Sequence, residues 1–305
     1  KSSEIGGLRK ALGCYMEIST TKDNTTTLEQ RGNQKVIKTP ITWFSDSCMA
    51  QAAVLLTENQ VDAEVTISLT YAYMRARRFG NLNLRAETRG GGGNTTYKEF
   101  ESLKGTPRIL LCISDGDMEH PDDGYGQTAR LIEKTASNAP AFQKHHVIKA
   151  RELENLIPTS LYSDALTEKT QTSKAQALDQ LIEMEKTATG EWRLFIDIKK
   201  GLYQFEILSP TSTPKAAFLK KSLSGLVPIV PQKCMPFPGC AELSDCICDI
   251  FEGLGDSALS TIGAYMKKQS SHRISQYMKF DSAPLPSEMC EQIVNWLCSY
   301  EPIVT

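Results

Sequence analysis

The chain has 305 residues, of which 40% are hydrophobic and 23% are charged, which is the composition of a folded protein with room for about two domains. The net charge of -2 gives no global basic field, so nucleic acid would have to bind a local patch. No run of about 18 apolar residues occurs, so no membrane partner is expected. Nine cysteines without regular spacing favour a reducing, cytoplasmic location.

The first 80 residues carry few clear signals and are assigned to an N-terminal extension. Residues 49–57 are apolar enough to predict a helix. Residues 66–79 mix β-branched and aromatic side chains and end in three arginines, which does not favour one element over another.

From residue 81 to 205, strand and helix patterns alternate. The predicted strands are 82–86, 109–113, 146–149 and 192–198, and the predicted helices are a segment through Lys104 capped by Asn94 or Thr95, 128–136 and 175–184. This alternation predicts an α/β fold, a mostly parallel sheet with helices on both faces. Residues 206–305, with helices predicted from about residue 241 and over 288–297, are assigned to a largely helical C-terminal domain.

Two aspartates follow the apolar strand 109–113. Side chains alternate along a strand, so Asp115 and Asp117 are expected to point the same way. Two neighbouring carboxylates repel each other, and a hard divalent cation such as Mg²⁺ is the usual way to stabilise them. The alternative is an ordinary strand exit formed by aspartate and glycine. Glu119, Asp122 and Asp123 follow closely and are assigned to a solvated loop.

Glu87 precedes a run of four glycines at 90–93. A glycine turn leading into a helix lets backbone N–H groups approach a phosphate, while the alternative is a flexible surface loop.

Two further segments place charged residues at predicted strand ends. The sequence Arg-Glu-Leu-Glu-Asn at 151–155 follows the strand 146–149, so Glu152 and Glu154 are expected at a sheet edge. Lys199 and Lys200 follow the strand 192–198, where a lysine can neutralise charge that develops on a phosphoryl group. A helix start and a surface lysine are the respective alternatives.

Together these four elements resemble the TOPRIM nuclease domain of the overcoming-lysogenization-defect (OLD) family. The resemblance covers roughly residues 80–205, and its matching parts are Glu87 with Gly90 to Gly93, Asp115-Gly116-Asp117, Arg151 to Asn155, and Lys199 or Lys200. It implies a TOPRIM-like catalytic domain at 81–205 and a Mg²⁺- or Mn²⁺-dependent endonuclease that acts in antiphage defence. It also implies an ABC-type ATPase as a protein partner, since the chain has no ATPase motif of its own.

The resemblance also implies roles for these residues. Glu87, Asp115, Asp117, Glu152 and Glu154 would be metal ligands, and Lys199 or Lys200 would stabilise negative charge. A metal-bound water would attack the phosphodiester in line. DNA is the favoured substrate, with RNA second, and a homo-oligomer is a further option.

Three other functions fit parts of the sequence. A von Willebrand A-type binding module shares the glycine-threonine loop and the Asp-Gly strand end, but its Asp-x-Ser-x-Ser motif fails at both serines near Asp46. A non-catalytic structural subunit of a defence complex would keep the fold without binding metal. An aspartyl phosphatase would need Gly-Thr after Asp-x-Asp, which is absent. The four cysteines Cys234, Cys240, Cys246 and Cys248 lack Cys-x-x-Cys pairs, so unliganded thiols are favoured over zinc.

Overall fold

The computed structural model describes residues 12–20, 25–47, 51–79, 82–168, 174–208, 213–225 and 248–300. They form two compact units. Unit 1 takes its described residues from segments 1–114, 127–147 and 270–305, and unit 2 takes its own from 115–126 and 148–269. The chain therefore passes from one unit to the other four times, so the units are interleaved along the sequence.

The structure contains both strands and helices. The strands are β1 (Cys14–Ser19), β2 (Thr27–Arg31), β3 (Gln34–Pro40), β4 (Ala53–Thr57), β5 (Leu82–Leu84), β6 (Ala86–Gly90), β7 (Leu110–Ser114), β8 (Gln143–Val147), β9 (Leu202–Tyr203), β10 (Asp249–Phe251) and β11 (Cys298–Tyr300). The helices are α1 (Gln60–Ala76), α2 (Thr96–Lys104), α3 (Gln127–Ala136), α4 (Thr159–Glu168), α5 (Ala175–Thr187), α6 (Gln204–Leu208), α7 (Pro214–Ser222), α8 (Ala258–Met266), α9 (Ser271–Met278) and α10 (Pro284–Leu297).

Unit 1 is built on a parallel sheet of four strands in the order β6-β4-β7-β8. The predicted parallel sheet is therefore confirmed. The helix predicted over 49–57 is wrong, because its residues 53–57 form β4, between β6 and β7. A short apolar run fits a strand buried on both faces as well as it fits a buried helix, so periodicity could not separate the two.

Helices flank this sheet. On one face Val54, Leu56, Leu110 and Cys112 pack with side chains of α2 and α3. Helices α1 and α10 also pack on β4. Leu55, which alternates with its neighbours on β4, is fully buried as well. Strand β4 is therefore covered on both sides, which places the core of unit 1 around a segment that the sequence assigned to an N-terminal extension.

Two smaller sheets complete unit 1. Strand β3 pairs with β1 in parallel and with β2 in an antiparallel hairpin. Strand β11 pairs antiparallel with β5 and so joins the C-terminal part of the chain to this unit.

In its described residues, unit 2 is mainly helical and contains one short antiparallel strand pair, β9 with β10. The strand predicted over 192–198 is wrong, because residues 192–194 form a 3-10 turn. A second turn follows, in which the Gly201 N–H donates to the Asp197 carbonyl at 2.8 Å. Trp192, Phe195 and Ile196 are buried, as the apolar pattern suggested. Burial of these side chains did not require a strand.

Four of the predicted helices are confirmed. Helix α2 begins after Thr95, one of the two predicted caps, and α3, α5 and α10 cover the other three predicted segments. The strand predicted over 146–149 lies earlier, at β8. The C-terminal region is largely helical, and none of the described helices is both long and apolar enough to span a membrane. The cysteines at 234, 240 and 246 lie outside the described residues.

Candidate active site

Asp115 anchors one of the predicted glutamate segments. It directly follows Ser114, the last residue of β7, and its Oδ1 accepts a hydrogen bond of 2.8 Å from the Leu153 N–H. Leu153 lies between Glu152 and Glu154 in the sequence, so this bond holds the first aspartate against the glutamate pair. Both segments belong to unit 2.

Gly116 allows the two segments to approach this closely. A Cβ at this position would lie 2.3 Å from the Ile148 carbonyl oxygen and 2.5 Å from that of Ala150. The Asp117 N–H donates to the Arg151 carbonyl at 2.8 Å and continues the contact. Glycine is therefore required here for backbone packing.

Asn155 connects the glutamate segment to the lysine segment. Its side chain accepts from the Glu152 N–H at 2.8 Å and donates to the carbonyls of Arg193 and Ile196 at 2.7 and 2.8 Å. Only 2% of Asn155 is exposed. Because a buried amide with these bonds costs free energy to disrupt, Asn155 fixes the relative placement of the two segments.

Lys199 completes the group. Its Nζ lies 2.9 Å from Glu152 Oε1 and 3.4 Å from Glu154 Oε1. The Glu154 side chain is 5% exposed and that of Glu152 is 14% exposed. Lys200 is exposed, and its side chain has no ion pair with any described residue.

The direction of Lys199 is set by Asp197, which the sequence analysis missed. Asp197 Oδ1 accepts from the N–H groups of Lys199 and Lys200 at 3.1 and 2.8 Å. An aspartate two residues before a lysine and ahead of a glycine is a turn signal that could have located this bend.

The electrostatics follow from this packing. Burial alone would lower the pKa of Lys199, but Glu154 and Glu152 outweigh it and raise the pKa above its usual range. Burial raises the pKa of Glu152, and repulsion by Glu154 raises it further against the attraction of Lys199. Glu152 Oε2 is buried and has no hydrogen-bond partner in the described structure.

A second set of ion pairs supports the first. Arg151 lies 2.9 Å from Glu119 and 3.3 Å from Asp197, and Lys215 lies 3.0 Å from Glu119 and 2.7 Å from Glu206. Burial opposes ionisation of Glu119, but its hydrogen bonds with Lys215 and Arg151 lower its pKa overall. Glu119 therefore belongs to a network and is not part of a merely solvated loop.

Asp117 is placed differently from Asp115. Strand β7 ends at Ser114 and Asp117 has φ 52°, so the strand alternation that would align the two carboxylates does not apply. The side chain lies against Gly126, where an added Cβ would be 2.2 Å from Asp117 Oδ2. No hydrogen bond or ion pair joins the Asp117 carboxylate to any other described side chain.

Glu87 belongs to unit 1 and has its own partners. It lies inside β6, and its carboxylate is 2.7 Å from both Arg108 and Arg89. Hydrogen bonds from Arg108 and then Arg89 lower the pKa of Glu87. The structure thus groups Asp115, Glu152, Glu154 and Lys199 within unit 2, whereas Glu87 takes part in an arginine network of unit 1.

The glycine run does not present free donors to a phosphate. Gly90 is the last residue of β6, the N–H of Gly91 donates to Thr57, and those of Gly92 and Gly93 donate to the Glu58 carbonyl at 3.0 Å. The expected phosphate-binding role is therefore wrong for these three N–H groups. Glycine at 91 is explained instead by Thr96, whose Oγ1 would lie 2.5 Å from a Cβ there.

Within the part of the chain that the structure describes, no group of three or more histidine, cysteine, aspartate and glutamate side chains is arranged to hold a metal ion as it stands. Comparison of the chain with protein-family models, with curated proteins and with solved structures found no match in any of the three.

Proposed function

We propose that this protein is a Mg²⁺- or Mn²⁺-dependent nuclease with Asp115, Glu152, Glu154 and Lys199 at its reacting centre. The proposal depends on one observation, the contact of the Lys199 ammonium with both glutamates at 2.9 and 3.4 Å. These residues come from separate segments that were each selected for their charge. Their convergence in unit 2 is the arrangement that phosphoryl chemistry needs, with carboxylates and a cation side by side.

The chemistry of these side chains suits a hard divalent cation, although their present arrangement does not surround one. All ligands on offer are carboxylate oxygens, which Mg²⁺ and Mn²⁺ prefer over softer donors. Glu152 Oε2 is buried and accepts no hydrogen bond from any described residue, so its lone pairs are available.

Each residue then has a role that follows from its position. When bound, the ion lowers the pKa of a coordinated water and offsets phosphodiester charge. Asp115 holds the glutamate segment in place by accepting a hydrogen bond from the Leu153 N–H. Lys199 keeps its proton at neutral pH, since its pKa is raised, and so can bind a phosphoryl oxygen as charge develops.

The TOPRIM-type fold, the role in antiphage defence and the ABC-type ATPase partner are implied by the motif resemblance and stay predictions. DNA is the proposed polymer, with RNA as the second option. Glu87, Asp117 and Lys200 were predicted in the same site, but the contacts that support the proposal do not involve them.

Cleavage assays test the proposal directly. Plasmid DNA and transfer RNA are incubated with the protein in Mg²⁺, Mn²⁺ or EDTA, beside Asp115→Asn, Glu154→Gln and the control Glu183→Gln. Glu183 is an exposed glutamate in a helical pair with Lys186. We expect metal-dependent cleavage that falls about 100-fold or more in the first two variants and stays unchanged in the control. Equal rates in all variants, or cleavage that persists in EDTA, would contradict the assignment.

The same contact favours a second candidate, a non-catalytic structural subunit in which the Lys199 ammonium takes the place of a cation. Calorimetric titration with Mg²⁺ and Mn²⁺ separates the two candidates. Absence of both metal binding and cleavage supports the structural subunit. Metal binding without cleavage supports either a nuclease that requires its partner or a binding-only module of the von Willebrand A type.

A further inference from the structure

A cavity of about 500 Å³ lies at the C-terminal end of helix α1, wholly within unit 1. The side chains that define its character are Tyr71, Met74, Arg75, Arg78, Phe79 and Asn83. Its volume falls in the range of sites that take small ligands or one part of a larger one. None of the described residues that line it is acidic.

The end of α1 places an arginine in an unfavourable backbone conformation. The Phe79 N–H donates to the Met74 carbonyl at 2.9 Å and the Arg78 N–H donates to the Arg75 carbonyl at 3.3 Å, which together form a Schellman motif. The residue at the left-handed position of this motif is usually glycine, but here it is Arg78 with φ 60°. A side chain kept at a position that favours glycine points to a use for that side chain.

Neither of the two arginines of the cavity has an ion-pair partner among the described residues. Arg75 and Arg78 are exposed, and no described carboxylate pairs with either of them. Their neighbour Arg77, by contrast, pairs with Asp281 at 2.8 Å and lies over the Tyr73 ring. Within the described part of the chain, the cavity therefore carries two positive charges that form no ion pair, in a protein whose net charge is -2.

Two aromatic rings accompany these charges. Tyr71 is 39% exposed, and its hydroxyl donates to the Leu84 carbonyl at 3.4 Å, which restrains the ring. Phe79 is half-buried, with its centroid 6.3 Å from that of Tyr73. One exposed and one half-buried ring, beside arginines that pair with no described carboxylate, are a combination that binds bases by stacking and phosphates by charge.

The geometry points to this cavity as a binding site for single-stranded nucleic acid. Arg75 and Arg78 contact phosphates, and Tyr71 and Phe79 offer faces on which bases stack. The inference deepens the proposed nuclease function and rests on it for the choice of ligand. It identifies a substrate-binding surface on unit 1 in addition to the reacting groups of unit 2.

The test measures binding without cleavage. Fluorescence anisotropy follows a short fluorescein-labelled oligodeoxythymidine, and the same strand in a duplex, in EDTA over a range of salt concentrations. For Arg75→Gln/Arg78→Gln we expect an affinity loss of about tenfold or more at low salt and a salt slope reduced by about 1.4, for two phosphate contacts at about 0.7 each. For Tyr71→Ala we expect a loss of about fivefold, which the salt concentration does not alter.

Arg78→Gly separates ligand binding from a structural role. Glycine relieves the left-handed strain, so the thermal unfolding midpoint should stay the same or rise while affinity falls. The matched control is Arg130→Gln, which removes the same charge from an exposed position on α3. It should bind like the wild-type protein.

The inference is overturned if the cavity variants bind within twofold of the wild-type protein, if Arg130→Gln loses as much affinity, or if the duplex binds more tightly than the single strand. Because the assay runs in EDTA, it does not depend on cleavage. Binding that requires the cavity, in a protein that cleaves nothing, overturns the nuclease and keeps the binding site. If Asp115→Asn abolishes cleavage but the cavity variants cleave and bind like the wild-type protein, the nuclease assignment stands and the proposed binding site is overturned.

Discussion

Replacing Lys199 by methionine tests the charge arrangement of unit 2 independently of any activity. The substitution keeps most of the aliphatic stem and removes the ammonium, which lies 2.9 Å from Glu152 and 3.4 Å from Glu154. Two carboxylates, with side chains 14% and 5% exposed, then lose this cation. The change therefore isolates a charge effect from a packing effect.

The size of the effect follows from burial. Removing one partner of a fully buried ion pair costs roughly 3–5 kcal/mol, because an uncompensated charge stays behind. The Lys199 side chain is 26% exposed, so water replaces part of the lost attraction. We therefore expect the free energy of unfolding of unit 2 to fall by about 2–3 kcal/mol at neutral pH.

The loss should depend on pH. Glu152 has a raised pKa in the folded protein, so its contribution to stability is full below its unfolded pKa of about 4.3 and is lost as the pH rises through the folded value. Lys199 attracts this carboxylate, so the pKa of Glu152 rises further in Lys199→Met. This variant therefore regains more stability on acidification than the wild-type protein does. Lys199 itself is fully protonated over this range and adds no slope. The difference in unfolding free energy between Lys199→Met and the wild-type protein should therefore become smaller as the pH falls from neutral to 5.

Tryptophan fluorescence during urea unfolding measures the effect in the correct unit. Trp192 is 3% exposed and is the one tryptophan in unit 2, so Trp43 and Trp296 are first replaced by phenylalanine. Lys200→Met is the matched control. Its side chain is exposed and has no described ion pair, so it should change stability by less than about 0.5 kcal/mol.

The interpretation would be refuted if Lys199→Met lowered the unfolding free energy by less than about 0.5 kcal/mol, or if Lys200→Met lowered it equally. It would also be refuted if the destabilisation by Lys199→Met did not change with pH. In the double variant Lys199→Met/Glu152→Gln, removing the repulsion between the glutamates should restore part of the stability. If the unfolding free energy of the double variant falls by the sum of the changes in the two single variants, the ammonium and Glu152 do not interact.

Two further substitutions test the structural parts of the two units. Gly116→Ala would place a methyl group within 2.5 Å of two backbone carbonyl oxygens, so it should lower the urea midpoint of unit 2 strongly, while Gly124→Ala, which meets nothing within 4 Å, should not. In unit 1 the pKa of Glu87 is lowered, mainly by Arg108, so its contribution to stability is present above the unfolded pKa and is lost as the pH falls through the folded value. Glu87→Gln should therefore be less stable than the wild-type protein at neutral pH, with the difference in unfolding midpoint disappearing under acid conditions; a difference that persists in acid would contradict this role.

Patterns local in sequence predicted part of unit 1, but not β1 to β4 or α1. The positions of α2 and α3 and the end of α10 follow from apolar periodicity, which acts within a few residues, whereas α10 begins at Pro284, four residues before the predicted start. The alternation of these helices with strand β7 also predicted a parallel sheet. The strand over 53–57 was missed because its identity depends on β6 and β7, which lie at least 29 residues further along the chain.

The candidate site was predictable in residue type but not in geometry. Charge and spacing selected Asp115, Glu152 and Glu154 and left Lys199 and Lys200 as equal options. The structure distinguishes the two lysines, since the turn held by Asp197 brings the Lys199 ammonium to the glutamates and leaves Lys200 exposed.

The amino-acid sequence by itself determined helices α2, α3 and α5, the end of strand β7 and which residues carry charge, because these properties depend on neighbours within one or two turns of the chain. Tertiary structure alone decided that Glu87 pairs with arginines, that the glycine N–H groups are already bonded and that Arg75 and Arg78 share a cavity with Tyr71. Each of these outcomes depends on hydrogen bonds or burial between segments brought together by folding. Free energies of that kind depend on distance in space, which local sequence patterns do not encode.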